Sequence, residues 1–549
     1  MTQKILVTSA LPYVNNIPHL GNLIGSVLSA DAYARFQRIN GNQVLFVLGT
    51  DEYGTTAETK AREEGVTPKE LVDKYFLIHK DIYDWFQTSY DCLGRTTSDA
   101  NKKIAQDIFL KLYEKGLIVE KEIEQLYSEK SDQFLSDRFV QGTCPHCGYQ
   151  KAGGDQCDKC STLIDQKELI NPVSKIDGTK PILKKTKHLY VDLTKMQPKL
   201  EKFFNERKDK WSAQAVSITQ QWFKRGLEAR AITRDLKWGI PVPLKGWENK
   251  VFYSWFDAPI GYIGITAECL GDAWESWWKD DSILLYQFMG KDNVPFHSIM
   301  FPSYLIGSED NYHVIDVLDS TAYINYENTK FSKSNNTGVF GDDAKNSGIA
   351  SDLWRYYLFR VRPEDNDTEF LWDDFEVKVN NELASNFGNL VNRVLSLTQK
   401  FFDGKKPLKT KSPLKEELAK LVEEYIELMN KSREKNALMK ANEISSLANK
   451  FLQDNAPWTL AKTDLVGAGE IIAECIDVLK VLACVYYPFI PTSAQKVGEM
   501  VSFNVLDGIE KSKEEVAPGT KLIDQGILFE KLDHKNIEVL KEKFSGKKK

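Results

Sequence analysis

The sequence predicts an α/β protein in which a parallel sheet is split by an insertion and followed by an all-α portion. Three observations carry that reading. The first hundred or so residues alternate short apolar runs with helical stretches. From about Leu117 a charged, β-rich segment with four cysteines breaks this rhythm. After about residue 370, apolar residues recur at helical spacing.

"KILVTSA" (Lys4–Ala10) reads as a buried strand, and "LGNLIGSVLSADAYARFQRING" as a helix stopping at Gly41. "QVLFVLGT" (Gln43–Thr50) is a second strand, and "TAETKAREEG" a helix ending at Gly65. Such βαβ alternation implies parallel strands with helices outside, and ligands bind at the carboxyl ends of those strands. Both Leu11–Asn22 and "GTDEYG" fall there. The alternation resumes near Arg234 with "VFYSWFDAPIGYIG", "ILLYQFMGKDNVPFH" and "NYHVIDVL", so the intervening 120 or so residues read as an insertion. After "LWDDFEVKVNNEL" the chain is expected to be helical to its end. The stripes in "ELASNFGNLVNRVLSLTQKFF" and "EELAKLVEEYIELMNKSREK" support this, and the basic end, "KEKFSGKKK", is expected to fray.

With 72 Lys and Arg against 78 Asp and Glu, the formal charge is 72 − 78 = −6. A general polyanion binder would be basic, so nucleic acid would have to be met by a local patch. No apolar window is long enough to span a membrane, and no basic-then-apolar secretory pattern opens the sequence. Of eight cysteines, four cluster and four scatter. That is too sparse for a secreted disulfide framework, so a reducing cytosol with mostly buried thiols is expected.

Three motifs carry chemistry. In "LPYVNNIPHLGN" a strand feeds a loop and then a helix N-terminus, which favours phosphate. His19 can donate to a phosphate oxygen, and Gly21 permits close approach. By itself this is a short match. "KFSKS" (Lys330–Ser334), followed by "NNTGVFGDDAKNSG", places two cations, Lys330 and Lys333, in a loop able to close over a polyphosphate. Alone it reads as a solvated loop. "CPHCGYQKAGGDQCDKC" holds Cys144, Cys147, Cys157 and Cys160 as two Cys-x-x-Cys pairs, the spacing of a closed, structural zinc site. A redox pair would not need two copies. His146 lies between two ligands and is left out.

Together the first two motifs resemble the paired signatures of class I aminoacyl-tRNA synthetases. "SALPYVNNIPHLGN", "GTDEYGTTAETKA", "WFDAPIGY" and "FMGKDNVPFHSIMFP" are similar, in the same order, to the methionyl-tRNA synthetases, over about residues 4 to 500. The His-Leu-Gly-Asn and Lys-Phe-Ser-Lys-Ser forms resemble the eukaryotic and archaeal type. The resemblance implies a Rossmann-like catalytic domain in two halves, 1–116 and 233–325, around a connective insertion with a zinc knuckle, 117–232. It implies a KFSKS loop and stem-contact region at 326–370, and a helical anticodon-binding domain with its tail at 371–549. The activity implied is methionine–tRNA ligation: methionine and ATP give methionyl-adenylate, and the aminoacyl group passes to the terminal ribose of tRNA(Met).

Carried over residue by residue, the resemblance implies that His19 and Asn22 hold the triphosphate. Pro12, Gly21, Gly290, Asp292 and Lys333 would complete the ATP site. Lys330 and Lys333 would stabilise the transition state, with Arg234 at the active site and Mg²⁺ accompanying ATP. Asp51 would accept the substrate ammonium, although such an acid could also cap a helix or pair with a base. Ala10, Leu11, Tyr13, Trp255, Ala258, Pro259, Tyr262 and His297 would line the side-chain pocket, apolar and aromatic as a thioether prefers. Asn293 and Phe301 depart from an isoleucine and a tryptophan in bacterial relatives. Asn22 stands where a second histidine is common. Adenylation depends on positioning and charge stabilisation, and an amide donates as an imidazole N–H does, so an active enzyme is expected.

Asn389 and Arg393, four apart, and Trp458 are the residues that would read a splayed anticodon base, although Trp458 alone would pass as core. The insertion is too short for a hydrolytic editing domain of the kind found in synthetases for branched residues. One zinc, a monomer and a cytoplasmic location are expected. Rival readings are another class I synthetase, a silent tRNA-binding relative and a stand-alone nucleotidyltransferase. The pocket words, the intact Lys330, Lys333, His19 and Asp51, and the helical portion argue against them respectively.

Overall fold

The computed structural model describes residues 2–546 apart from 136–138, 155–156, 158, 161–163 and 334. Its centre is a five-stranded parallel sheet ordered Val317–Thr321, Leu284–Gly290, Lys4–Ser9, Gln43–Thr50, Cys92–Arg95. Lys4–Ser9 is the middle strand. It pairs with the first half of the sheet on one side (Thr8 with Val47) and with the second half on the other (Thr8 with Gln287). The strand order therefore reverses beside it, and a crevice opens at the carboxyl ends of the strands. The central runs are apolar throughout because helices cover both faces of the sheet. The expected first helix runs from Leu20 through a π turn at Leu23–Val27 to Ile39, and Gly41 turns the chain with φ +86°.

The insertion is an antiparallel ribbon, Ile118–Ser128 against Ile182–Val191, with a small three-stranded sheet carrying the cysteines. The helices Leu193–Arg207 and Ala213–Arg225 return to the main core, where Trp211 Nε1 donates to the Asp316 carbonyl at 3.0 Å. In the second half, the helix Ser254–Leu270 lies over the strand ends with Pro259 inside it. Proline removes the N–H that would bond the carbonyl four residues back, and the Tyr304 hydroxyl meets that Trp255 carbonyl at 3.4 Å instead.

Beyond the sheet the long helices Glu434–Asn455 and Leu465–Tyr486 form the axis of a bundle with Asn389–Phe402 and Lys415–Asn430. Three expectations need correction. The chain is not helical to its end: residues 501–533 contain only short turns of helix. The described part of the tail is docked and not frayed, because the helix His534–Lys543 is followed by Phe544, whose ring is buried and stacks with Trp372. Among the scattered cysteines, Cys475 and Cys484 are buried thiols, but Cys92 and Cys269 form a disulfide. The edge strand and the end of the pocket helix bring them together across 177 residues of sequence. Among the described residues, no helix is long and apolar enough to cross a membrane.

Two buried arginines join the sheet to the bundle. Arg355 pairs with Asp31 at 2.7 Å and donates to the carbonyls of Phe86, Pro488 and Phe489. Arg362 is bound by Asp319, by Glu434 at 2.7 Å and by Glu364 at 3.2 Å. Removing one partner of such a cluster leaves buried charge uncompensated. Arg362→Ala is expected to lower the unfolding free energy by about 3–5 kcal/mol. Side-by-side urea denaturation checks this, and a loss within experimental error would contradict it.

Candidate functional site

The helix start at Leu20 is capped reciprocally by the two residues that the sequence singles out. The Asn22 amide N–H reaches His19 Nδ1 at 3.3 Å, and Asn22 Oδ1 accepts from the His19 amide at 3.2 Å. With Nδ1 accepting, the neutral ring carries its proton on Nε2 as a donor. Burial pushes the His19 pKa down to about 4, so the ring is uncharged at neutral pH. At Gly21 a Cβ would lie 2.9 Å from the His19 ring and from Ile324, so any larger residue would displace one of them.

The second motif comes from the other half of the chain and meets the first directly. Phe331 stacks on the His19 ring at 4.5 Å, and Leu20 N–H donates to the Val339 carbonyl at 3.3 Å. Lys333 lies 3.5 Å from Asp342 and 3.7 Å from Asp343, above the Phe340 ring. Lys330 is exposed; Ser334 lies outside the described residues. The tail closes on the same loop: Gly338 N–H donates to the Phe544 carbonyl at 3.1 Å, and Asn336 Nδ2 to that of Lys543 at 3.0 Å. Neither Phe331 nor the tail was marked by sequence reasoning.

The residues expected to line a side-chain pocket gather near the ends of the central strands. Asp51 N–H donates to the Pro12 carbonyl at 2.9 Å, and Tyr13 bridges to Asp51, so the loop after the first strand lies on the end of the second. Ala10 closes the first strand by donating to the Phe288 carbonyl, and Leu11 lies against Gly261 of the pocket helix. Ala258 and Pro259 are buried on that helix. Tyr262 hydroxyl bonds His297 Nε2 at 2.8 Å, and His297 Nδ1 bonds the Asn293 carbonyl at 2.9 Å. The carbonyl can only accept, so Nδ1 donates and Nε2 accepts from Tyr262. Burial lowers the His297 pKa to about 4. Phe301 packs against Tyr262 and Trp278. Trp255 stacks on Phe296 at 3.5 Å, with the Tyr13 ring edge-on at 6.2 Å. A cavity of about 350 Å³ opens beside Trp255, lined also by Arg234, whose guanidinium covers the Tyr253 ring at 3.8 Å.

Two buried acids, Asp51 and Asp257, lie on the segments that build this region. Asp51 was singled out from the sequence; Asp257, inside the quoted "WFDAPIGY", was not, though an acid in so apolar a run was the available signal. Burial pushes the pKa of both well above the carboxylate range, with the charge of Glu52 adding to the rise at Asp51 and that of Asp51 adding to the rise at Asp257. Gly290 ends its strand at the same rim, and Asp292 there accepts from the Tyr323 hydroxyl.

The four clustered cysteines converge. Their sulfurs lie within 4.8 Å of one another, with Cys144 to Cys160 at 3.9 Å and Cys147 to Cys157 at 3.6 Å. Sulfurs about 2.3 Å from a tetrahedral metal stand at such separations. The turn is knuckle-like: Gly148 at φ +72° donates to the Cys144 carbonyl, and His146 takes no part. In the bundle, Arg393 sits over the Trp458 ring at 5.0 Å and donates to Gln453. Asn389 is exposed one turn away, so the three bundle residues share one surface.

Comparison with known proteins gives the family. A family model described as tRNA synthetases class I (M) matches residues 5–395, and one described as the anticodon binding domain of methionyl tRNA ligase matches 403–549. A probable cytoplasmic methionine–tRNA ligase of Dictyostelium discoideum is 47% identical over 99% of this chain and 75% of its own length. A methionine–tRNA ligase of Borreliella burgdorferi is 48% identical over the whole of this chain and 75% of its own. A solved Mycobacterium tuberculosis methionyl-tRNA synthetase in complex with methionyl-adenylate shares the fold. Its TM-score is 0.79 at 22% identity, over 96% of this chain and all of that one.

The buried imidazoles make the fold acid-sensitive in a defined window. His79 and His297 have pKa values lowered from 6.5 to about 4 by burial. Unfolding therefore takes up protons between those values, and stability falls as pH drops from 6.5 towards 4. Each contributes up to about 3 kcal/mol of that loss. Denaturant titrations from pH 7 to 4.5 should show a shallower acid loss for His297→Gln than for the wild type; parallel profiles would contradict the assignment.

Proposed function

The chain belongs to the class I tRNA synthetases of the methionine type, and from that premise we propose that it is a methionine–tRNA ligase whose two signature loops act on one ATP. The observation that supports this best is the contact between them: His19, at a helix start, stacks with Phe331 of the lysine loop, beside the pocket holding Asp51 and Tyr262.

The carboxylate of methionine attacks the α-phosphorus of ATP, and the bond to the β-phosphate breaks to release pyrophosphate. His19 Nε2–H and the Asn22 amide N–H₂ donate to phosphate oxygens. Within the capping pair Asn22 uses its carbonyl oxygen and backbone N–H, which leaves its Nδ2 outside the cap. Lys330 and Lys333 neutralise charge on the phosphates, Lys333 leaving Asp342 and Asp343 to do so. Pro12, Gly21, Gly290 and Asp292 frame the nucleotide; Mg²⁺ bound with ATP supplies further charge neutralisation. Arg234 lies at the mouth of the amino-acid pocket. Asp51 accepts the ammonium, and the thioether enters among Ala10, Leu11, Tyr13, Trp255, Ala258, Pro259, Tyr262 and His297. Because His297 accepts from Tyr262, the polar tips are fixed and neutral. The terminal ribose hydroxyl of tRNA(Met) then attacks the carbonyl carbon, and AMP leaves.

Asn389, Arg393 and Trp458 read the anticodon, where an arginine-covered indole offers a stacking platform for a splayed base. Cys144, Cys147, Cys157 and Cys160 hold one structural zinc, because four convergent thiolates leave no open position. We read the protein as a cytoplasmic monomer; the cytoplasmic relative in Dictyostelium supports the location.

Pyrophosphate exchange into ATP, run with each standard amino acid and no tRNA, tests the reading. Exchange with methionine alone is expected, reduced about 10²–10³-fold in Asn22→Ala, the cost of one charge-stabilising donor. Exchange with another amino acid would mean that the pocket is misread. Elemental analysis should find about one zinc per chain, lost in Cys144→Ser together with part of the thermal stability. A metal-free protein of unchanged melting temperature would contradict the structural role.

A further inference from the structure

Asp257 stands in the first turn of the helix Ser254–Leu270 and is fully buried. Neither of its carboxyl oxygens has a hydrogen-bond partner in another residue, and Oδ1 of Asp51 has none either. The two acids lie on segments packed against each other. A Cβ on Gly54, three residues after Asp51, would fall 3.3 Å from the Ser254 hydroxyl. Tyr13, which bridges to Asp51, hydrogen-bonds Ser254 and feels both carboxylates.

The groups around the pair offer no counter-charge. From the strand end come Glu52, already held by Arg95 at 2.7 Å, and Tyr53; Asp99 lies near Tyr53 on the adjoining helix. Tyr13 and Tyr253 face the pair from the loop and the helix start, and Tyr304 and Tyr262 from the packed helices. His297 is neutral. Among the described residues, no basic side chain offsets either acid. Two buried carboxylates without a cation cannot both stay ionised. An α-ammonium brings three N–H donors and one positive charge, which is what the free oxygens lack.

We propose that Asp257 is a positioning residue of the ammonium site: Asp51 and Asp257 together carry one proton before methionine binds, and the arriving ammonium displaces that proton to solvent. This rests on the reading of Asp51 given above. No covalent bond changes; one proton leaves for each amino acid bound. The pair selects for a protonated amine, so methioninol is bound with the same proton release, and the desamino acid 4-(methylthio)butanoate is not.

Calorimetric titration of methionine into the full, zinc-loaded chain at neutral pH, in two buffers of different ionisation enthalpy, counts the protons. The wild type is expected to release close to one, and its Kd to fall about tenfold per pH unit where release is complete. In Asp257→Asn, with metal content and melting curve matching the wild type, release should approach zero and the pH dependence flatten. Methionine binding by the wild type without proton release overturns this inference alone, and needs no variant. Unchanged release in Asp257→Asn overturns it as well. A wild-type chain that binds no methionine overturns the functional reading and this inference with it.

Discussion

The structure turns on the buried pair of Asp31 and Arg355. Asp31 lies on the helix that the phosphate loop opens, and Arg355 on the helix that follows the lysine loop. A buried ion pair is weak evidence for stability, since desolvation offsets its attraction. Here almost every donor is used: Arg355 also reaches the carbonyls of Phe86, Pro488 and Phe489, and Asp31 takes Arg35 and the Ser89 amide. The pair therefore acts as a register pin. It fixes the first half of the sheet, the helix behind the lysine loop and the bundle in one arrangement, which apolar packing alone would specify less sharply.

What the pin holds in place is a loop shared by three parts of the chain. Its far end is bonded to the phosphate-loop helix through Val339 and Phe340, and its near side to the tail through Gly338 and Asn336. The tail is in turn anchored by Phe544 on Trp372. On composition alone, residues 330–333 and 335–338 read as a free surface loop. They are instead bracketed, with Lys333 held by two acids and His19 covered by an aromatic ring. On the proposed reading, phosphates entering there would exchange contacts that the protein already makes with itself, and part of the binding energy would go into rearrangement of the loop.

The parts of this fold that are local in sequence were legible. Strands buried on both faces had to be apolar throughout, which made the βαβ rhythm plain from Lys4 to Gly65. Four cysteines within seventeen residues announced their convergence. The disulfide between Cys92 and Cys269 could not be read, because neither has a local partner and only the sheet topology brings them together. The docking of Phe544 was hidden by the lysines around it, which suggested a solvated end. Residues 501–533 carry enough apolar side chains to pack without a helical period, so the stripe that marked the preceding helices misled there. Asp257 was masked by the aromatic residues beside it, which drew the chemistry of the pocket towards packing.

The same electrostatics explain why Asn22 serves where a second histidine could stand. His19 and His297 are both held neutral by burial, so neither ring brings positive charge to the site. An amide at position 22 costs nothing in charge and gains a geometry that an imidazole cannot match. Its oxygen closes the cap on the His19 amide while its N–H₂ remains a donor. On the proposed reading, positive charge at the phosphates comes chiefly from the lysines of the opposite loop. On that reading, charge stabilisation depends on closure of that loop.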